Sequence, residues 1–195
     1  MRQIQTYEDV LTRKNIINKD KAWDIPGGVS LRTSNLVAGN YLPEGTPISA
    51  PSSGLRYVCK QAVVEKGSTA KSFKVKQGSH HFKAGDLVTL GNTNGTAWHI
   101  ASVSAPSGGI EKINLSTAIG FPGTSQSFFI YEASTAGTGA ALKRTPDAIL
   151  KYPIEVPKDQ MVIFGADAYT RADVVEGAIG DKYLEHLKFI NVVKY

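Results

Sequence analysis

From Gly28 onward, apolar and polar positions alternate with a period of two along much of the chain. Phe73-Lys74-Val75-Lys76 puts Phe73 and Val75 on one face and the lysines on the other, the pattern of a half-buried strand. Val29-Ser30-Leu31-Arg32 repeats it, and residues 98–103, 113–117 and 128–131 read as further strands. Residues 55–65 read as one long strand, Met161-Val162-Ile163-Phe164 as a buried strand, and residues 189–193 as a closing strand. Turn signals separate these runs: residues 42–47, Gly85-Asp86, Asn94-Gly95 and Ser107-Gly108-Gly109. Glycine adopts positive φ without steric cost, and an aspartate side chain can accept from nearby backbone N–H groups. Asn-Gly between strands is a hairpin signal. Between Gln77-Gly78 and Gly123 the turns recur about every 7–15 residues, which suits a small barrel or sandwich better than βαβ units.

The fold class expected is therefore mainly β: a small β-barrel or sandwich core, an extended N-terminal arm and a C-terminal αβ segment. The expected core is Phe73, Phe82, Leu87, Trp98, Ile100, Ile113, Leu115, Phe128 and Ile130. Residues 1–26 read as the arm, because their apolar residues are sparse and Ile25-Pro26-Gly27-Gly28 breaks regular structure. Within it, Thr6 can cap a short helix that begins at Tyr7. Residues 27–135 form the β-rich core, and residues 136–195 a strand-helix-strand segment packed on it. Small residues from Ser134 to Ala141 make a linker or long loop between them. Residues 173–188 are the best helix candidate, with Tyr183, Leu184 and Leu187 at helical spacing.

Charge adds a second pattern. The net charge is +5 over 195 residues. Seven basic residues and one acid, Glu65, fall between Arg56 and Lys83, whereas six acids and two bases fall between Glu155 and Asp181. Segregated charge of this kind fits protein–protein packing at least as well as nucleic-acid binding. The strand lysines have no interleaved aromatics to stack bases, so nucleic acid is not the expected partner. Neither a membrane-spanning apolar run nor an N-terminal signal region is seen, and synthesis in a cytoplasm is expected.

Reactive templates fail in turn. Phosphate-binding loops, G-x-G-x-x-G, H-E-x-x-H and G-x-S-x-G are missing from the sequence. Cys59 is the single cysteine, read as a small buried hydrophobe. On a strand, His80 and His81 would point to opposite faces and could not share a metal. Asp167 with Asp173, or Glu176 with Asp181, are the carboxylate pairs to check for glycoside chemistry. No enzyme, catalytic residue, metal or cofactor is expected.

Several stretches resemble one family in order. Residues 73–88, with Phe73-Lys74-Val75-Lys76, His80-His81-Phe82-Lys83 and Gly85-Asp86, resemble a stretch of tailed-phage head-fibre or capsid-decoration (auxiliary capsid) proteins of the Bacteroides-phage type. Residues 98–103, residues 113–120, Ala141-Leu142-Lys143 and the stretch 42–48 resemble further stretches of that family in the same order. The resemblance runs over about residues 28–195, with Ser79 inserted before the histidines and the C-terminal helix region more divergent. It implies a non-catalytic virion protein on the outer capsid surface. Its partners would be the major capsid protein and other copies of itself, with trimers natural at three-fold positions. It would stabilise the shell or present a surface for host or glycan attachment. On this expectation Tyr7, Val10, Leu11 and Trp23 of the arm dock on the capsid or a neighbouring copy. Lys60, Lys74, Lys76 and Lys83 would supply a basic interface, and Asp173 and Glu176 an acidic one. The rival readings are a nucleic-acid-binding β-barrel and a carbohydrate-binding or envelope-active protein.

Overall fold

The computed structural model describes residues 17–91, 95–120, 123, 125, 127–158 and 163–194. In chain order the first strands are β1 (Ile17–Asp24), β2 (Val29–Arg32), β3 (Tyr41–Leu42), β4 (Pro47–Ser49), β5 (Arg56–Tyr57) and β6 (Gln61–Val64). Next come β7 (Ser72–Lys76), β8 (Leu87–Thr89), β9 (Thr96–Val103), β10 (Ile110–Leu115), β11 (Phe128–Glu132) and β12 (Gly137–Thr138). The chain continues through β13 (Pro146–Leu150), β14 (Ile154–Glu155), β15 (Ile163–Ala166), β16 (Ala168–Val175), the single helical turn α1 (Asp181–Leu184) and β17 (Ile190–Val193).

Six of these strands close an antiparallel barrel in the order β6-β7-β10-β9-β8-β11 and back to β6. Alternation drives it. On β7, Phe73 and Val75 point inward and are fully buried, while Lys76 is exposed. Phe82, Val88, Ile100, Ile113, Leu115 and Ile130 complete the interior, and Phe128 meets Phe73 edge-on at 5.8 Å between ring centroids. Of the expected core, Leu87, Trp98 and Phe128 are only partly buried: Trp98 and Phe128 pack against the barrel interior, whereas Leu87 pairs with exposed His99 and stays outside it. The Gly85-Asp86 turn behaves as its residues require: Gly85 has φ 91°, and Asp86 Oδ2 accepts the Lys83 N–H at 2.8 Å.

The remaining strands come from both sides of the barrel segment. β1, β16, β13 and β4 form one sheet with β17 parallel to β16; β15-β2-β5 and β14-β3 form smaller ones. The barrel is thus an excursion, residues 61–132, from a second β unit that strands of both flanks build together. Residues 27–135, read as one core, are accordingly divided between the two.

Four sequence readings change. The helix expected over 173–188 is confined to α1; Asp173-Val174-Val175 end β16, where β-branched valines pair with Val192 and Val193. Gly177, at φ 81°, then turns the chain. The strand expected over 55–65 is two strands, because the chain leaves β5 and crosses to the barrel at residues 58–60. Ile163 is exposed and Phe164 half-buried, since β15 is a sheet edge with one neighbour; Met161 and Val162 lie outside the described residues. Residues 134–141 are tied down as well, with Gly137 and Thr138 paired to β9. The Asn94 half of the expected hairpin turn lies outside the described residues.

The part of the expected arm that is described is sheet. β1 pairs antiparallel with β16, and Ile17 is buried in the core with Val174, Tyr169 and Leu187. Residues 1–16, with Thr6, Tyr7, Val10 and Leu11, lie outside the described residues.

Candidate interaction surfaces and the buried junction

Charged groups gather where the barrel joins the second unit. The chain enters the barrel after Lys60 and leaves it at Glu132, and these two crossings lie side by side. The Glu132 N–H donates to the Lys60 carbonyl at 3.1 Å. Tyr183 of α1 donates its hydroxyl to the same carbonyl at 2.9 Å. Lys60 is not a surface residue: its side chain is 1% exposed. Its ammonium lies 2.7 Å from Asp86 Oδ2 and 3.5 Å from Glu132 Oε1, and Lys143 reaches the same Glu132 oxygen at 2.8 Å. Two cations and two carboxylates therefore alternate around the seam, with Glu132 Oε2 buried and unbonded among the described residues. The residue before Lys60, Cys59, is buried, and that burial pushes its thiol well above the ordinary range. A protonated, enclosed thiol is a packing group, and reactive cysteines need the thiolate.

A second clip joins the units at His80 and His81. Both lie in the β7–β8 connection rather than on a strand, and both are buried. His80 Nε2 meets Glu111 Oε2 at 2.7 Å, and the His80 carbonyl accepts from Asn40 Nδ2 at 3.0 Å. His81 Nδ1 accepts the Val37 N–H at 3.3 Å, while its Nε2 faces the Tyr41 carbonyl at 3.2 Å. Those two contacts need a neutral ring, donor on one nitrogen and acceptor on the other. Burial lowers the pKa of both rings, His81 to about 4. Among the described residues, no group of three or more His, Cys, Asp or Glu side chains is placed to hold a metal ion.

The expected interface residues separate. Lys74 and Lys76 stand on the outer barrel face, with Lys83 half-buried at its end. Asp173 is buried and accepts from Asn191 Nδ2 at 3.0 Å, so it offers little to a partner. Glu176 is exposed but faces Lys194 at 3.1 Å. Glu155 and Glu185 also have lysines beside them, Lys158 and Lys182. Among the described residues, Glu155 and Glu176 of the acidic segment pair with lysines of this chain, whereas Lys66, Lys71 and Lys74 of the basic one make no ion pair. Trp23 is 64% exposed at the end of β1, with the Arg171 guanidinium 5.2 Å from its ring centre.

The Asp167–Asp173 carboxylate pair does not form. Asp167 precedes β16 and Asp173 lies near its end, about 20 Å away at the rise of an extended strand. Asp167 instead borders an open groove of about 730 Å³ with Gly28, Tyr152, Glu155 and Phe164. Tyr41 donates to Glu155 there at 3.2 Å. Gly28, at φ 71°, closes one wall so tightly that a Cβ would lie 2.8 Å from the Ala166 carbonyl oxygen.

Sequence reasoning missed the seam. A lone lysine in a strand reads as exposed, and its acids are 26 and 72 positions away. One signal was present: Val58-Cys59-Lys60 interrupts the polar alternation just where the chain changes units.

No family model, no curated protein and no solved structure matches this chain.

Proposed function

We propose that this chain is a non-catalytic structural protein of a phage virion, bound to the outer surface of the capsid as a decoration or head-fibre protein. There it stabilises the shell or presents a surface for host or glycan attachment, with the major capsid protein and further copies of itself as partners. One observation carries the reading. Three of the five stretches that resemble that family, residues 73–88, 98–103 and 113–120, form or directly continue β7 to β10, four contiguous walls of one closed barrel, while residues 42–48 and 141–143 lie outside it. A resemblance scattered over unrelated elements would carry much less weight. The lysines of that barrel's outer face, most of them without an ion pair among the described residues, and the exposed Trp23 supply surfaces for attachment.

The test is decoration in vitro. Purified protein is added to heads that lack it and sedimented with them. Saturable binding is expected, weakening as salt rises from about 50 to 500 mM because exposed charge pairs are screened. Truncation should stop before Ile17, since removal of residues 1–26 would also take out β1 and its buried Ile17. Failure to saturate, or to bind at all, contradicts the reading.

A further inference from the structure

Antiparallel strands β7 and β10 set Lys74 directly opposite Lys112. Like charges in that position repel, and the sheet gains nothing from them. Lys76 follows on the same face, while Lys66 and Lys71 flank β7 in sequence and are exposed. Lys66 ends the β6 side of the Gly67 turn, where a Cβ on Gly67 would lie 3.0 Å from the Lys74 ammonium. Among the described residues, these five lysines make a single ion pair, Lys76 with Glu65 at a loose 3.9 Å. Glu111, the one acid of β10, lies on the face of the buried Ile113 and Leu115 and is taken by His80. Beside the lysines runs a neutral belt across three strands: Ser72 donates to Asn114 at 2.7 Å, and Asn114 to Ser102 at 3.1 Å.

We propose that this β7–β10 face is a docking surface for an acidic protein surface. Concentrated, uncompensated positive charge steers and holds a partner of opposite sign. The shape and chemistry favour carboxylates of a protein over nucleic acid. The face is the outer side of two strands of a closed barrel. Neither β7 nor β10 places an aromatic ring or an arginine outward among these lysines, and base stacking needs such groups. The violation of the cross-strand charge rule is relieved when a partner brings carboxylates between Lys74 and Lys112. This inference stands apart from the virion reading, because any acidic protein surface would satisfy it.

Labelled poly-L-glutamate serves as the probe, titrated at low salt against the full chain. Lys74→Glu with Lys112→Glu should weaken binding by about tenfold or more, and Lys188→Glu with Lys194→Glu, an equal change in net charge elsewhere, by less than about threefold. The single variant Lys112→Glu turns the repulsive pair into an attractive one, so its melting temperature should match or exceed the parent's. Equal losses in the two double variants, or a Lys112→Glu protein that melts lower, overturn the proposal. Tighter binding of duplex DNA than of poly-L-glutamate through the same lysines also overturns it, in favour of a nucleic-acid partner. Failed capsid decoration alongside position-dependent poly-L-glutamate binding would reject the virion reading and leave this one standing.

Discussion

Lys60→Met is expected to destabilise the protein by about 3 kcal/mol, read as a lower urea midpoint with an unchanged slope. The substitution keeps an unbranched apolar stem of nearly the same length and removes the ammonium with its charge and its donors. Asp86 and Glu132 are then left with less compensation than they were folded around. Glu132 is the more exposed to this loss in energetic terms, because its side chain is 1% accessible and only Lys143 remains beside it. Asp86 is better placed, since it keeps the Lys83 N–H and some solvent. That difference sets the figure at the low end for a broken buried pair. Adding Glu132→Gln should recover part of the loss, so the double variant falls short of the two single effects by about 1 kcal/mol or more. Strict additivity, or a Lys60→Met loss below about 0.5 kcal/mol, would mean that the seam is not held by these charges.

Acid should loosen the same junction from its other side. His81 is neutral in the fold, with its pKa lowered to about 4 by burial and further by the nearby charges of His80, Lys60 and Lys83; the Tyr41 carbonyl opposes them. Unfolded, the ring titrates near its ordinary value of 6.5. Between those values the unfolded chain binds the extra proton and the folded chain does not. Stability is therefore complete above about pH 6.5, declines as pH falls towards 4, and loses on the order of 3 kcal/mol from this group. His80 acts in the same direction, since burial lowers its pKa despite the opposing Glu111 carboxylate. Protonation of His81 also removes the acceptor that holds the Val37 N–H. Denaturation midpoints measured from pH 7.5 to 4 check this. His81→Asn should be less stable at neutral pH and show a flatter slope between 6.5 and 4. An identical slope in the variant would assign the acid sensitivity to the surface carboxylates instead.

Local physics made the barrel walls legible. Phe73 and Val75 alternate with lysines, and Gly85-Asp86 turns as its two residues dictate, so these features follow from neighbours in sequence. Closure of β9 onto β10 through Ile113–Val103 and Asn114–Ser102 follows from the strands and turns between them. The second unit was far less legible. Its central strand β16 takes partners from β13 and β17, through Leu150–Ala168 and Ala172–Ile190, each 18 positions apart, and from β1, through Ile17–Val174, 157 apart. Val174 and Val175 fall in a stretch whose later residues have helical spacing, and strand pairing overrode that local signal. β1 falls within the expected arm because its apolar residues are few, yet Ile17 is buried beside Val174 and Ala22 packs on the same cluster. The surface was legible in part. Lys74 and Lys76 are where alternation puts them, while Lys60 and Asp173 are buried because distant groups, Asp86, Glu132 and Asn191, give them partners. The Lys74–Lys112 opposition requires the register between two strands, and no spacing within the sequence reveals it.

Virion attachment is tested most directly by counting this chain in purified particles. Quantitative mass spectrometry of intact virions should find it in a fixed ratio to the major capsid protein, corresponding to many copies per head. Absence from particles that carry the rest of the virion, or a trace amount that varies between preparations, would contradict the assignment.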